Sequence, residues 1–226
     1  MQIEILSRPA TTIVKLTAKK DQVIQAEVGA MIAMSSGFNV NTVARSKGRG
    51  GFGASIKRMF AGESFFINQF TATQHEQELL LAPQMLGDIV HHRLEQGTLL
   101  VQGSSWLASG AGIEVDASFQ GLGKAFFSGE GMFWVKCTGH GDVLLNSFGA
   151  IYEVDITDHY IVDTGHIVAF EDTLEWRITK ASSGWISSFM SGEGLVCEFS
   201  GRGKLYCQTH NPSGFGQTLG KLLPPR

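Results

Sequence analysis

Apolar and polar residues alternate along most of this chain. The runs Thr12-Ile-Val-Lys-Leu-Thr17, Phe38-Asn-Val-Asn-Thr-Val43, Ile113-Glu-Val-Asp116, Leu174-Glu-Trp-Arg-Ile-Thr179 and Lys204-Leu-Tyr-Cys-Gln-Thr209 repeat with period two and are rich in β-branched and aromatic residues. A strand turns successive side chains to opposite faces, so this period predicts half-buried strands. Glycine turns separate the runs, as in Thr138-Gly-His-Gly-Asp142 and Ser200-Gly-Arg-Gly203. Helical spacing is confined to Gly53–Phe60 and Pro83–Leu86. The pattern predicts at least fourteen strands and one or two short helices.

The pattern also repeats at long range. Met59-Phe60-Ala61-Gly62-Glu63, Phe126-Phe127-Ser128-Gly129-Glu130 and Phe189-Met190-Ser191-Gly192-Glu193 share one order: two bulky apolar residues, a small residue, Gly and Glu. An apolar strand follows each of them. Upstream, Val28-Gly-Ala-Met-Ile-Ala33 matches Gly103-Ser-Ser-Trp-Leu-Ala108 and Thr164-Gly-His-Ile-Val-Ala169. Two markers in the same order, three times, predict internal triplication with units at about 12–86, 87–148 and 149–216 and a short polar C-terminal tail. The first unit carries an insertion around Arg45 to Phe52. One such unit exposes an apolar sheet face that it cannot bury alone. The expectation is therefore a single compact all-β domain over 1–226, three repeated β-sandwich units about a pseudo-threefold axis.

Composition narrows the class. Glycine is abundant, 28 of 226 residues, while only five prolines occur, which fits many tight turns. A net charge of −3 makes the chain as a whole a poor match for nucleic acid. Three cysteines, Cys137, Cys197 and Cys207, are too few for a disulfide scaffold. Glu4 interrupts the start, no apolar run reaches 18 residues, and the expected location is cytoplasmic.

The stretch Gly50 to Glu63, Gly-Gly-Phe-Gly-Ala-Ser-Ile-Lys-Arg-Met-Phe-Ala-Gly-Glu, followed by an apolar strand, resembles bacterial relatives of the altered-inheritance-of-mitochondria protein family, a domain of unknown function. The resemblance covers nearly the whole chain. It implies a fold like that of the tryptophan RNA-binding attenuation protein, with three units in one chain. It brings no catalytic residues and no cofactor. The name of its eukaryotic members implies a role in mitochondrial membrane organisation.

The candidate chemistry is sparse. Arg45, Lys47, Arg49, Lys57 and Arg58 lie in one glycine-rich stretch without an acid. Cations beside exposed backbone N–H groups suit phosphate or an anionic lipid headgroup; the alternative is a solvated loop. The apolar loops around Phe52, Ile56, Phe126, Phe127, Trp185 and Phe189 read as an interaction rim or as plugs closing each sheet. Gly48-Arg-Gly-Gly-Phe-Gly53 matches G-x-G-x-x-G but sits in no βαβ setting. The three Gly-Glu pairs could crowd carboxylates, or simply end turns. His91 and His92 are adjacent, so on a strand they point apart and make no metal site. Cys197 and Cys207 flank a glycine turn and could face each other across a hairpin. The expected function is a non-enzymatic interaction or scaffold protein. Its expected partners are a protein, an anionic membrane surface or further copies of itself, and the alternative is a small-molecule or RNA-binding module.

Overall fold

A computed structural model of the chain describes residues 1–45, 65–116, 134–180 and 195–224. Strand β1 (Gln2–Leu6) is followed by three runs of six strands among the described residues. The first run is β2 (Ile13–Ala18), β3 (Val23–Glu27), β4 (Met31–Met34), β5 (Phe38–Arg45), β6 (Phe65–Ala72) and β7 (Gln77–Leu81). The second is β8 (Ile89–Leu94), β9 (Thr98–Gln102), β10 (Trp106–Gly110), β11 (Ile113–Asp116), β12 (Trp134–Gly139) and β13 (Gly141–Asn146). The third is β14 (Ile151–Ile156), β15 (His159–Asp163), β16 (Ile167–Glu171), β17 (Leu174–Lys180), β18 (Leu195–Gly201) and β19 (Gly203–Gln208).

All the strand pairings are antiparallel, and the pairing order is the same in each run. The first strand pairs with the sixth and the sixth with the third. The second pairs with the fifth and the fifth with the fourth. The third strand carries a register shift at the same place each time, between Met31 and Ala33, Trp106 and Ala108, and Ile167 and Ala169. Runs join through two further pairings, β10 on β3 and β16 on β9.

These pairings make four sheets: β1-β2-β7-β4, then β5-β6-β3-β10-β13-β8, then β11-β12-β9-β16-β19-β14, then β15-β18-β17. Three apolar cores lie between successive sheets. Val14, Leu16, Leu79 and Leu81 of the first sheet meet Ile24, Phe70 and Leu144 of the second. Trp106 and Leu145 of the second meet Val101, Val135 and Tyr206 of the third. Phe170 and Leu205 of the third meet Val162, Cys197 and Phe199 of the fourth. The two middle sheets are thus covered on both faces. This explains why β9 (TLLVQ) and β16 (IVAFE) read as continuous apolar runs, buried over four successive residues, whereas β2 (IVKLTA) alternates cleanly.

The glycine turns separate strands as expected, but two of them do not close hairpins. Gly139 (φ 114°) and Gly201 (φ 98°) adopt left-handed backbone. A Cβ at Gly139 would lie 2.2 Å from the Gly112 carbonyl oxygen, so only glycine fits. Each turn carries the chain from one sheet to its neighbour, β12 to β13 and β18 to β19. Cys197 and Cys207 therefore lie in different sheets, not across a hairpin, and both are free and buried.

Two helix expectations also change. Pro83–Leu86 is irregular, because its neighbours' backbone bonds go elsewhere: Ala82 N–H to Ala30 O (2.9 Å) and Gly149 N–H to Leu86 O (2.9 Å). Helix α1 (Pro212–Gly220) spans the end of the third expected unit and the start of the expected tail. Asn211 caps it by accepting from Ser213 N (2.9 Å) and Gly214 N (3.3 Å), with Pro212 opening the first turn. Phe215 anchors the helix on Phe148, ring centroids 5.2 Å apart.

Candidate functional site

A small cavity of about 140 Å³ opens where the ends of several strands meet. Glu27, the last residue of β3, lines it with Gln84 and Met85 of the β7–β8 connection, Ser104 and Ser105 of the turn before β10, and Asn146 at the end of β13. Burial pushes the Glu27 carboxyl up to about 7. Asn146 is 5% exposed. Its Nδ2 donates to Ser104 O (3.0 Å), and its Oδ1 is buried without a hydrogen-bond partner. A carboxyl that titrates near neutrality beside a spare amide oxygen can accept from a small donor such as an ammonium group or water.

His91, His92 and His140 take part in side-chain hydrogen bonds. His92 Nδ1 lies 2.7 Å from Tyr206 Oη inside the molecule. Its neighbour His91 points outward to Asp142 Oδ1 (2.9 Å), the opposite-face arrangement expected of adjacent strand residues. Arg93 Nη1 donates to the same Asp142 oxygen (3.0 Å), and its Nη2 lies 3.0 Å from His140 Nε2. Asp163 caps the turn before β16 by accepting from Gly165 N (2.8 Å). Among the described residues no three His, Cys, Asp or Glu side chains gather as a metal site would require. Burial raises the thiols of Cys137 and Cys197 to about 12 and that of Cys207 to about 11, which keeps them protonated and unreactive.

Two sheet edges are apolar and open among the described residues. Strand β4 ends the first sheet, and every one of its residues is exposed. Ile32 is 53% exposed, and Met31 and Met34 are more than two-fifths exposed. Strand β15 ends the fourth sheet, with Ile161 at 63% exposure and Tyr160 also exposed. Other edge strands carry charge or amide side chains: β5 FNVNTVAR, β8 IVHHRL, β14 IYEVDI and β17 LEWRITK. Such groups blunt unwanted pairing. Strand β4, MIAM, has none, and the Tyr160-Ile161-Val162 centre of β15 has none.

Almost all the site residues expected from sequence lie outside the described residues. Lys47, Arg49, Lys57, Arg58, Phe52, Ile56, Phe126, Phe127, Trp185 and Phe189 lie outside the described residues, as do Gly48–Gly53 and Glu63, Glu130 and Glu193. Arg45 is the last residue of β5. Glu27, Asn146, β4 and the outer face of β15 were not singled out by sequence. Met31-Ile-Ala33 appeared in the sequence only as part of a repeated marker, and nothing local marks a strand as an edge.

Among the described residues, no helix is long and apolar enough to cross a membrane. An uncharacterized protein of Streptococcus pyogenes serotype M6 is 32% identical over 201 residues, spanning 87% of this chain and 80% of that protein. The crystal structure of a Streptococcus pyogenes protein solved by a structural genomics consortium superposes with a TM-score of 0.81 at 27% identity, covering 98% of this chain and 99% of that one. The model of the family described as mitochondrial biogenesis AIM24 matches residues 3–210. A match from the first strand to the last, with the same fold in a relative, places this chain in the mitochondrial biogenesis AIM24 family.

Proposed function

We propose that this chain is a non-enzymatic interaction or scaffold protein of the cytoplasm, built from three copies of one six-strand unit and working through its surfaces. One observation carries the reading: among the described residues, β4 and β15 leave large apolar side chains and unpaired strand flanks at two sheet edges, surface that a chain acting alone would be expected to cover. Association with an anionic membrane surface belongs to the same reading and rests on sequence. Arg45, Lys47, Arg49, Lys57 and Arg58 concentrate five cations in a chain of net charge −3. Each cation near an anionic surface contributes roughly 1 kcal/mol, screened within about a Debye length. Flotation with vesicles tests this. The chain should rise with anionic vesicles at low salt, stay down with neutral ones, and lose binding as salt increases or when the five cations are replaced by Ser. Equal recovery with anionic and neutral lipid refutes the membrane part.

A second reading, a small-molecule binding module, is supported by the Glu27–Asn146 cavity. Its volume suits a ligand of only a few heavy atoms, well below the roughly 300 Å³ at which drug-sized sites begin. Thermal shift with small amines is its test, with Asn146→Leu expected to abolish any stabilisation.

A further inference from the structure

The two free edges are complementary halves of a contact that the chain already makes twice. At each internal junction, the second strand of one run pairs with the third strand of the next. Ala26, Gln25 and Ile24 of β3 lie opposite Ala108, Ser109 and Gly110 of β10. Val101, Leu100 and Leu99 of β9 lie opposite Ala169, Phe170 and Glu171 of β16. Among the described residues, the third strand of the first run, β4, and the second strand of the last run, β15, have no such partner. The first and fourth sheets are what a middle sheet becomes when cut along this junction.

Exposure follows the same logic. Met31 and Ile32 occupy the positions of Trp106 and Leu107, and of Ile167 and Val168, on either side of the shared register shift. Those four residues, which lead into the junctions, are at most 2% exposed, whereas Met31 is 43% and Ile32 53% exposed; within the junctions, Ser109 and Phe170 are at most 1% exposed and their counterpart Met34 is 41% exposed. Tyr160 and Ile161 correspond to Leu99 and Leu100, because Val162 pairs with Cys197 of β18 as Val101 pairs with Val135 of β12, four residues before Gly201 and Gly139 respectively. Leu99 and Leu100 are at most 3% exposed. The same positions that are dry at the internal junctions are apolar and wet at the two ends.

We infer that β4 of one copy pairs antiparallel with β15 of a second copy, with Ala33 opposite Val162, Met34 opposite Ile161 and Ser35 opposite Tyr160. This deepens the scaffold reading and rests on it by naming the partner. The register is that of the two internal junctions carried to the ends. The pairing joins the first sheet of one chain to the fourth of the next and gives the outer edges the partner that β3 and β9 already have. The contact is head-to-tail, since each copy offers one edge of each kind. A head-to-tail contact closes into a ring when its rotation allows. An edge-to-edge strand match supplies main-chain hydrogen bonds for affinity, and the Met and Ile side chains supply the buried apolar surface.

Light scattering on the full chain after size exclusion should give a mass of several times 24.5 kDa. Met34→Lys and Ile161→Lys change exposed side chains, so circular dichroism should stay unchanged while the mass falls to that of one chain. Cysteine cross-linking fixes the register and the source of the partner, with the three buried native cysteines as silent background. A mixture of M34C and I161C chains should form a disulfide-linked pair under mild oxidation, and neither variant alone should. Wild-type chain at the mass of one copy at every concentration overturns the inference. So does cross-linking of M34C with itself as readily as with I161C, or a doubly substituted chain that links only within itself. A single-copy chain that still floats with anionic vesicles would sink this assembly and leave the membrane reading standing.

Discussion

His92 Nδ1 on β8 and Tyr206 Oη on β19 meet at 2.7 Å across 114 residues of sequence, ring against ring at 90°. The bond ties the second sheet to the third inside their shared core. Burial, the leading cause, lowers the His92 pKa, so the imidazole is held neutral. The unfolded chain then takes up a proton before the folded one does. Stability from this group is complete above the ordinary histidine value of 6.5 and is lost as pH falls through the folded value. Tyr206→Phe leaves the imidazole nitrogen without its partner and should cost about 1–3 kcal/mol, read from urea midpoints at pH 8.

Asp88, 2% exposed, is held by two bonds from Arg8 (2.8 and 2.7 Å) and one from Thr12 Oγ1 (3.0 Å). This set locks the segment after β1 onto the start of β8. Arg8→Ala strands a buried carboxylate and should destabilise the chain by about 2–3 kcal/mol. Asp88→Asn in the Arg8→Ala background should recover part of that loss. A double variant less stable than the single would contradict the assignment, and denaturant titration decides it.

Gly87 sits where three runs of strands converge, bridged to Gly149. A Cβ there would lie 1.7 Å from the backbone oxygen of Ser147, which cannot move as a side chain could. Gly87→Ala should therefore cost about 3 kcal/mol or more. By contrast, Gly216→Ala, in α1 with open space around it, should be neutral or stabilise by up to about 1 kcal/mol. Thermal melts of the two variants make the comparison.

Glu27 gives the opposite pH slope to His92. Its carboxyl rises from 4.5 to about 7 on burial, so the folded chain holds a proton that the unfolded chain has released. Its contribution is complete below about 4.5 and is lost as pH rises through about 7. At roughly 1.4 kcal/mol per unit the ceiling is about 3 kcal/mol, and partial solvent access brings it to about 1–2 kcal/mol. Glu27→Gln should flatten the slope between pH 5 and 8 and be the more stable protein at pH 8. Urea midpoints at three pH values measure it.

The all-β fold was legible because period two is a local property. Lys15 and Thr17 turn outward from Val14 and Leu16 in the strand that the pattern marked. Helix α1 was missed although Asn211-Pro212-Ser213 is a helix-start signal, a capping residue before proline. The Glu27–Asn146 cavity left no trace at all, since its lining comes from β3, β13 and two connections far apart in sequence.

By itself the sequence determined that this chain makes short strands broken by glycine. That property depends on neighbours along the chain. Only the tertiary structure decided that Gly139 and Gly201 turn between sheets and not within them, that Leu100 is dry while its counterpart Ile161 is wet, and that β4 is an edge. The physical reason is that burial of a strand's flank depends on which strand lies beside it. Alternation along a strand encodes its two faces and carries nothing about its two sides, where the backbone hydrogen bonds go.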